Sequence, residues 1–245
     1  MQPATRSESE LRIDLAAGYR YADQNGWADL IFNHITARST NNPEHLLIKP
    51  HALMFAEVTA SSLLTVTFDG APVGNHEAIN AAALTIHTAV LMARPEINAV
   101  MHIHSKPGLA ISARAGGLRY LTQESMMFFN RLAYHDFEGL AHDLDERGRL
   151  ARDLGSHKAM ILRNHGLLTC GRTVQEAVLQ MRDLVIAAEA QLTIEATGAA
   201  VTEPSPRVCE HTARQFEAAY GRNEWMPQWN AVKRSLDRTD ASYKD

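Results

Sequence analysis

The sequence predicts an α/β fold, and three observations carry that reading. Short apolar runs alternate with longer stretches that bear helix start and stop signals. Two capping boxes, Ser7-Glu8-Ser9-Glu10 and Thr173-Val174-Gln175-Glu176, open helices at the two ends of the chain's main body. Between them, Pro95 stops one helix and Lys106-Pro107-Gly108 starts another, so Asn98–His104 is left as a strand caught between helices.

The elements follow in order. Leu11, Leu15, Tyr19 and Ala22 recur at helical spacing after the first capping box, and Gly26 is the stop, giving a helix over 8–25. Residues 33–38 and 46–49 read as strands around an Asn41-Asn42-Pro43 turn, and 63–68 as a strand closed by Asp69-Gly70. An Ala- and Leu-rich helix spans 77–94. After the 98–104 strand, a short helix runs to Gly116-Gly117. Residues 119–140 give no clear period. A helix over 143–154 ends at Gly155. Residues 159–162 and 166–169 form a strand pair or one bulged strand, and a long helix reaches from Thr173 to Gly198. Pro204 and Pro206 mark a linker before one or two terminal helices. No internal repeat or second domain is visible, so residues 1–245 are expected to form one domain with a helical tail over about 205–245.

Composition narrows the function classes. Hydrophobic residues are 45% and charged residues 21% of the 245, the range of globular chains. A net charge of −4 argues against nucleic-acid and anionic-membrane partners. Two cysteines, Cys170 and Cys209, make no disulfide framework, and neither a signal core nor a membrane-length apolar run is present. The expectation is a cytoplasmic protein with no membrane partner.

His102-Ile103-His104 is the strongest chemical signal. Histidines at i and i+2 share one face of a strand. With 12 histidines in the chain, roughly 0.6 such pairs arise by chance, so the setting decides its weight. That setting is a strand end just before a helix, where α/β proteins place ligands. Asn164-His165-Gly166, at a second strand end, offers a third imidazole. Three neutral imidazoles with open positions suit zinc first, with manganese, iron and cobalt as alternatives.

Together these segments resemble the class II aldolase/adducin family over nearly the whole chain. The resemblance rests on Asn33-His34-Ile35-Thr36-Ala37-Arg38, Ile86-His87, Ala93-Arg94-Pro95-Glu96, Ala99–His104 and Leu162–Leu167. Tyr134-His135-Asp136-Phe137-Glu138-Gly139 and the tail around Trp229, Leu236-Asp237-Arg238 and Ser242-Tyr243 are similar to its bacterial adducin-like branch. The resemblance implies a three-layer α/β/α sandwich around a mostly antiparallel sheet, a homotetramer, a small-molecule substrate, and a divalent metal on His102, His104 and His165.

The departures from the family limit the chemistry. Its catalytic members carry a glutamate nineteen residues before the first metal histidine, where this chain has Ala83; Glu77 lies about 9 Å away along a helix and on another face. The family's phosphate-cradling positions fall on Asn33-His34, Pro50-His51-Ala52 and Ala81-Ala82, which offer few small hydroxyls or glycine amides. His34, Lys49 and His51 are the candidates for binding a substrate carboxylate instead. Glu124 is a further substrate-contact candidate, against the plainer reading of a charge at a helix N-terminus. His87 is expected to be structural, bonding to backbone, and Cys170 to be a buried strand residue. No catalytic acid or base is assigned. The function these residues point to is a metal-dependent lyase that breaks a carbon–carbon bond, by aldol cleavage or decarboxylation, in a non-phosphorylated substrate. The rival reading is a catalytically silent, adducin-like oligomerising scaffold that retains metal.

Overall fold

A computed structural model describes residues 7–74, 77–141 and 143–245. Helix α1 (Glu8–Gln24) precedes β1 (His34–Arg38), β2 (His45–Ile48) and β3 (Leu64–Thr67). Next come α2 (Ala81–Ala93), β4 (Ala99–Ile103), α3 (Lys106–Ala113), α4 (Gln123–Met126) and β5 (Leu132–His135). The chain continues through α5 (Glu146–Leu154), β6 (Ala159–Leu162), β7 (Gly166–Gly171), α6 (Val174–Ala196), α7 (Pro206–Gly221) and α8 (Met226–Thr239).

The seven strands form one sheet in the order β3-β2-β1-β4-β7-β6-β5. Every pairing is antiparallel except β5 with β6. Because side chains alternate along each strand, the sheet feeds two separate cores. Ile35, Ala37, Ala99, Met101 and Ile103 pack with α1, α3, α6 and α8 on one face. Leu46, Ile48, Val100, Met160 and Leu168 pack with α2 and α5 on the other. This is the expected α/β/α arrangement with a mostly antiparallel sheet.

The capping signals place most helix starts correctly. Ser7 accepts from the Glu10 amide and Glu10 returns to the Ser7 amide, while Thr173 accepts from the Glu176 amide. The helix expected from Glu77 begins four residues later, because Asn80 supplies the cap by accepting from the Ala82 amide. The helix expected to reach Gly116-Gly117 stops at Ala113. Residues 159–171 resolve as two antiparallel strands rather than one bulged strand. Pro206 lies within the first turn of α7, where its missing N–H costs nothing, so the linker is shorter than the two prolines suggest.

The tail is tied to the front of the chain. Trp229 is fully buried and donates its indole N–H to Asp14 at 3.0 Å. Backbone bonds Ala60 N–H to Tyr243 O (2.9 Å) and Ser61 N–H to Asp245 O (2.7 Å) close the seam. No helix among the described residues is long and apolar enough to cross a membrane.

Candidate metal centre

The antiparallel register sets the C-terminal end of β4 against the start of β7, pairing Ile103 with Leu167. His102 is the one polar residue of the otherwise apolar β4, His104 lies just beyond the strand, and His165 sits in the turn between β6 and β7. Asn164 takes the left-handed conformation (φ 56°) that this tight turn requires and that asparagine tolerates. Gly166 allows the close approach. A Cβ there would lie 2.6 Å from the Ile103 carbonyl oxygen, 3.1 Å from His104 Cδ2 and 3.4 Å from His102 Cε1.

The three imidazoles converge. One ring nitrogen from each of His102, His104 and His165 lies within 4.8 Å of the others. The His102 Nδ1–H donates to the Leu167 carbonyl at 3.0 Å, since a carbonyl only accepts. Burial, then the neighbouring imidazoles, holds His102 well below the ordinary histidine range, so its Nε2 carries a bare lone pair. His104 Nδ1 faces Asp29 Oδ2 at 3.3 Å. A neutral His104 ring that donates from Nδ1 there presents its Nε2 as an acceptor. The two Nε2 atoms face one another across 2.9 Å. Two acceptors at that distance repel unless a proton or a cation lies between them. Two imidazoles on a tetrahedral ion at 2.0–2.1 Å would stand about 3.3 Å apart, so the donor set fits a divalent metal after a small adjustment. His165 is pushed down to about 4, first by burial and then by His104 and His135, and is neutral at ordinary pH.

Other predicted residues fall into distinct places. His34 joins the cluster: it opposes His102 in register, and their rings are 5.2 Å apart. It is buried, with Nδ1 2.8 Å from His87 Nε2. His87 in turn meets the Thr36 hydroxyl at 2.8 Å, so it bonds to side chains rather than to backbone as expected. His51 has its ring 6.2 Å from Phe32, and its Nδ1 is buried without a partner among the described residues.

Two assignments change. The Lys49 ammonium is enclosed by the carbonyls of Ile31 (2.8 Å), Pro50 (3.3 Å), His51 (3.2 Å) and Leu53 (2.7 Å). Its three protons are used there, so it holds a loop together instead of facing a substrate anion. Burial pushes it down to about 8. Glu124 opens α4, which packs on α6 and α7, and its charge acts on Asp183 of α6. Residues 119–140, unreadable in sequence, divide between the two cores: Met127 and Phe128 beside Glu124 pack with α6, Ala133 packs with α2 and α5, and Phe137 reaches His165.

Ala83 is buried in the apolar cluster beside Ile86. Glu77 is exposed and precedes the helix. Cys170 is a buried strand residue, its thiol pushed up to about 12 by burial. Asp29 and Phe137, whose ring is 6.3 Å from that of His165, were not candidates. Asp29 sits 75 residues from His104 in a turn, and no spacing rule links such a pair.

Residues 13–192 match the family described as Class II Aldolase and Adducin N-terminal domain. A solved structure of an aldolase II superfamily protein from Pseudomonas syringae is 40% identical, with a TM-score of 0.93 over 99% of this chain and 98% of that one. L-fuculose 1-phosphate aldolase from Glaciozyma antarctica PI12 is 27% identical, with a TM-score of 0.84 over 97% and 93%. Alpha-adducin of Rattus norvegicus is 41% identical over 191 residues, 76% of this chain but 26% of that protein.

Proposed function

The chain belongs to the class II aldolase and adducin family, and from that premise we propose that it is a divalent-metal-dependent lyase. It cleaves a carbon–carbon bond in a small, non-phosphorylated oxygenated substrate. The observation that carries the reading is the convergence of three imidazoles: His102 Nε2 and His104 Nε2 stand 2.9 Å apart, and a ring nitrogen of His165 lies within 4.8 Å of both. His102, His104 and His165 would hold the ion, zinc before manganese, iron or cobalt. The bound ion supplies Lewis acidity toward a substrate oxygen that gains negative charge.

The chain's own residues do the rest. Leu167 O and Asp29 fix the ring orientations of His102 and His104, which keeps each Nε2 aimed inward. Ala83 supplies no carboxylate, and the titratable side chain one helical turn on, His87, is engaged with His34 and Thr36. A reaction that starts by removing a C–H proton lacks a carboxylate base at Ala83; loss of CO₂ from a carboxylate leaves the carbanion with no proton to remove, whereas loss of an aldehyde leaves it only once a base has taken the proton of the β-hydroxyl. Lys49 is committed to four carbonyls, and Pro50-His51-Ala52 brings no hydroxyl, which supports a substrate without phosphate. His34 and His51 are the remaining groups for a substrate carboxylate. The same reading includes a homotetramer, placed in the cytoplasm.

The similarity to alpha-adducin favours a second reading, a metal-holding scaffold without turnover. Metal analysis of the purified protein, followed by a panel of hydroxy-acids and aromatic carboxylates assayed for CO₂ or aldehyde release, separates the two. Bound metal with release of either product supports the lyase. Bound metal with no turnover across the panel leaves the scaffold, and a stable protein that takes up no metal removes both readings of the triad.

A further inference from the structure

Three polar side chains form a line that starts beside the triad and runs into the α2 side of the sheet. His34 opposes His102 across β1 and β4, and their rings are 5.2 Å apart. His34 Nδ1 lies 2.8 Å from His87 Nε2, and His87 Nδ1 lies 2.8 Å from the Thr36 hydroxyl oxygen. Thr36 and His87 are fully buried, and His34 is 2% exposed. Burial, then the neighbouring imidazoles, holds both rings well below the ordinary histidine range. Each ring is neutral, with one N–H and one bare nitrogen.

Two proton orders are compatible with these distances, and the hydroxyl decides between them. If Thr36 accepted from His87 Nδ1–H, its own proton would be buried with no acceptor among the described residues. If Thr36 donates, every group in the line is matched. Its O–H reaches His87 Nδ1, and His87 Nε2–H reaches His34 Nδ1. His34 then keeps its one proton on Nε2, which has no partner among the described residues. Thr36 has no onward partner among them either, so the line sets a direction and conducts no proton to solvent. Lys49 is spent on four carbonyls, so its ammonium does not compete for the place beside the triad. A neutral N–H there pairs best with an oxygen that only accepts, as a carboxylate oxygen does.

We infer that Thr36 and His87 are positioning residues that hold His34 as an Nε2–H donor beside the triad, where it takes an oxygen of a substrate carboxylate. The proton order stands on the geometry of the three side chains alone. The carboxylate contact rests on the lyase reading.

Neutron diffraction from crystals of the full deuterated chain, metal-free and zinc-loaded, locates the protons directly. The expected result is a bare Nδ1 and a protonated Nε2 on both His34 and His87, with the Thr36 proton pointing at His87. Calorimetry with glycolate, and with neutral glycolamide as its counterpart, reads the contact in zinc-loaded protein. His34→Phe weakens glycolate about fivefold, the worth of one hydrogen bond, weakens glycolamide less, and leaves zinc affinity unchanged. His87→Gln, whose amide can accept from Thr36 and donate to His34, keeps glycolate affinity within about twofold. His87→Leu, which packs but cannot bond, weakens glycolate toward the His34→Phe level. A residue that only fills space would tolerate leucine better than glutamine. Circular dichroism confirms that each variant is folded. A proton on Nδ1 of either ring, or a doubly protonated ring, overturns the proton order. Parent-like glycolate binding by His34→Phe, or a zinc-loaded parent that takes no glycolate, overturns the carboxylate contact. A chain that takes up no zinc overturns the lyase reading and that contact with it, while the metal-free crystals still decide the proton order.

Discussion

Asp29 and His104, 75 residues apart in sequence, meet at 3.3 Å and fix which nitrogen of the imidazole is left free. The carboxylate accepts from Nδ1, so Nε2 turns inward. Asp29→Asn keeps the size but removes the charge that favours this tautomer. Zinc affinity is expected to fall about tenfold, at unchanged thermal stability of the metal-free protein. Competition against a chromophoric chelator measures it, and an unchanged affinity would show that Asp29 does not tune the centre.

Lys49 is expected to behave as a structural residue. Lys49→Met preserves the stem but strands the carbonyls of Ile31, Pro50, His51 and Leu53. Leaving a buried acceptor unpaired costs about 1–3 kcal/mol; only the Pro50 contact is fully buried and water can take up part of the other three, so a total loss of roughly 2–4 kcal/mol is expected. Urea denaturation reads this directly. A variant as stable as the parent would return Lys49 to the list of substrate contacts.

Restoring an acid at position 83 tests the meaning of the alanine. Ala83→Glu buries a carboxylate in an apolar cluster and should cost about 3 kcal/mol or more in metal-free protein. If the position faces the metal, zinc should raise the variant's melting temperature by more than it raises the parent's. Equal shifts would place residue 83 out of reach of the ion.

The acid on α6 that Glu124 faces gives a pH signature. Burial raises the Asp183 carboxyl from 3.8 to about 6, and Arg182 at 2.6 Å only partly offsets it. A raised carboxyl favours the protonated fold, so its contribution to stability is complete below pH 3.8 and is lost as pH rises through 6. Above that, the ionised group is a net liability of at most about 3 kcal/mol. Asp183→Asn is therefore expected to be more stable than the parent at pH 8 and to lose that advantage by pH 4. Urea midpoints at the two pH values decide it; an advantage that persists at pH 4 would assign the effect to something other than ionisation.

What the sequence revealed follows the range of the forces involved. The Ser7 and Thr173 caps and the Pro95 and Pro107 boundaries are local, and each put a helix end within a residue or two of its place. Asn80 displaced Glu77 as a helix start because a side-chain cap outweighs a charge in the first turn. The parallel pairing of β5 with β6 was invisible, since its partner lies across the whole of α5. Among site residues, the three histidines were legible because strand ends carry them. Asp29 and the carbonyl cage around Lys49 were not, because both depend on where distant turns come to rest.

Gly166 also bears on how this centre can change over time. A ligand histidine could be exchanged for another donor one residue at a time, with the neighbouring strand undisturbed. Position 166 permits no such gradual route, because even a single methyl group would collide with the Ile103 carbonyl and with the flank of His104. The aperture of the centre is thus inherited as a spacing between two strands, and a lineage can revise its donors long before it can revise its width.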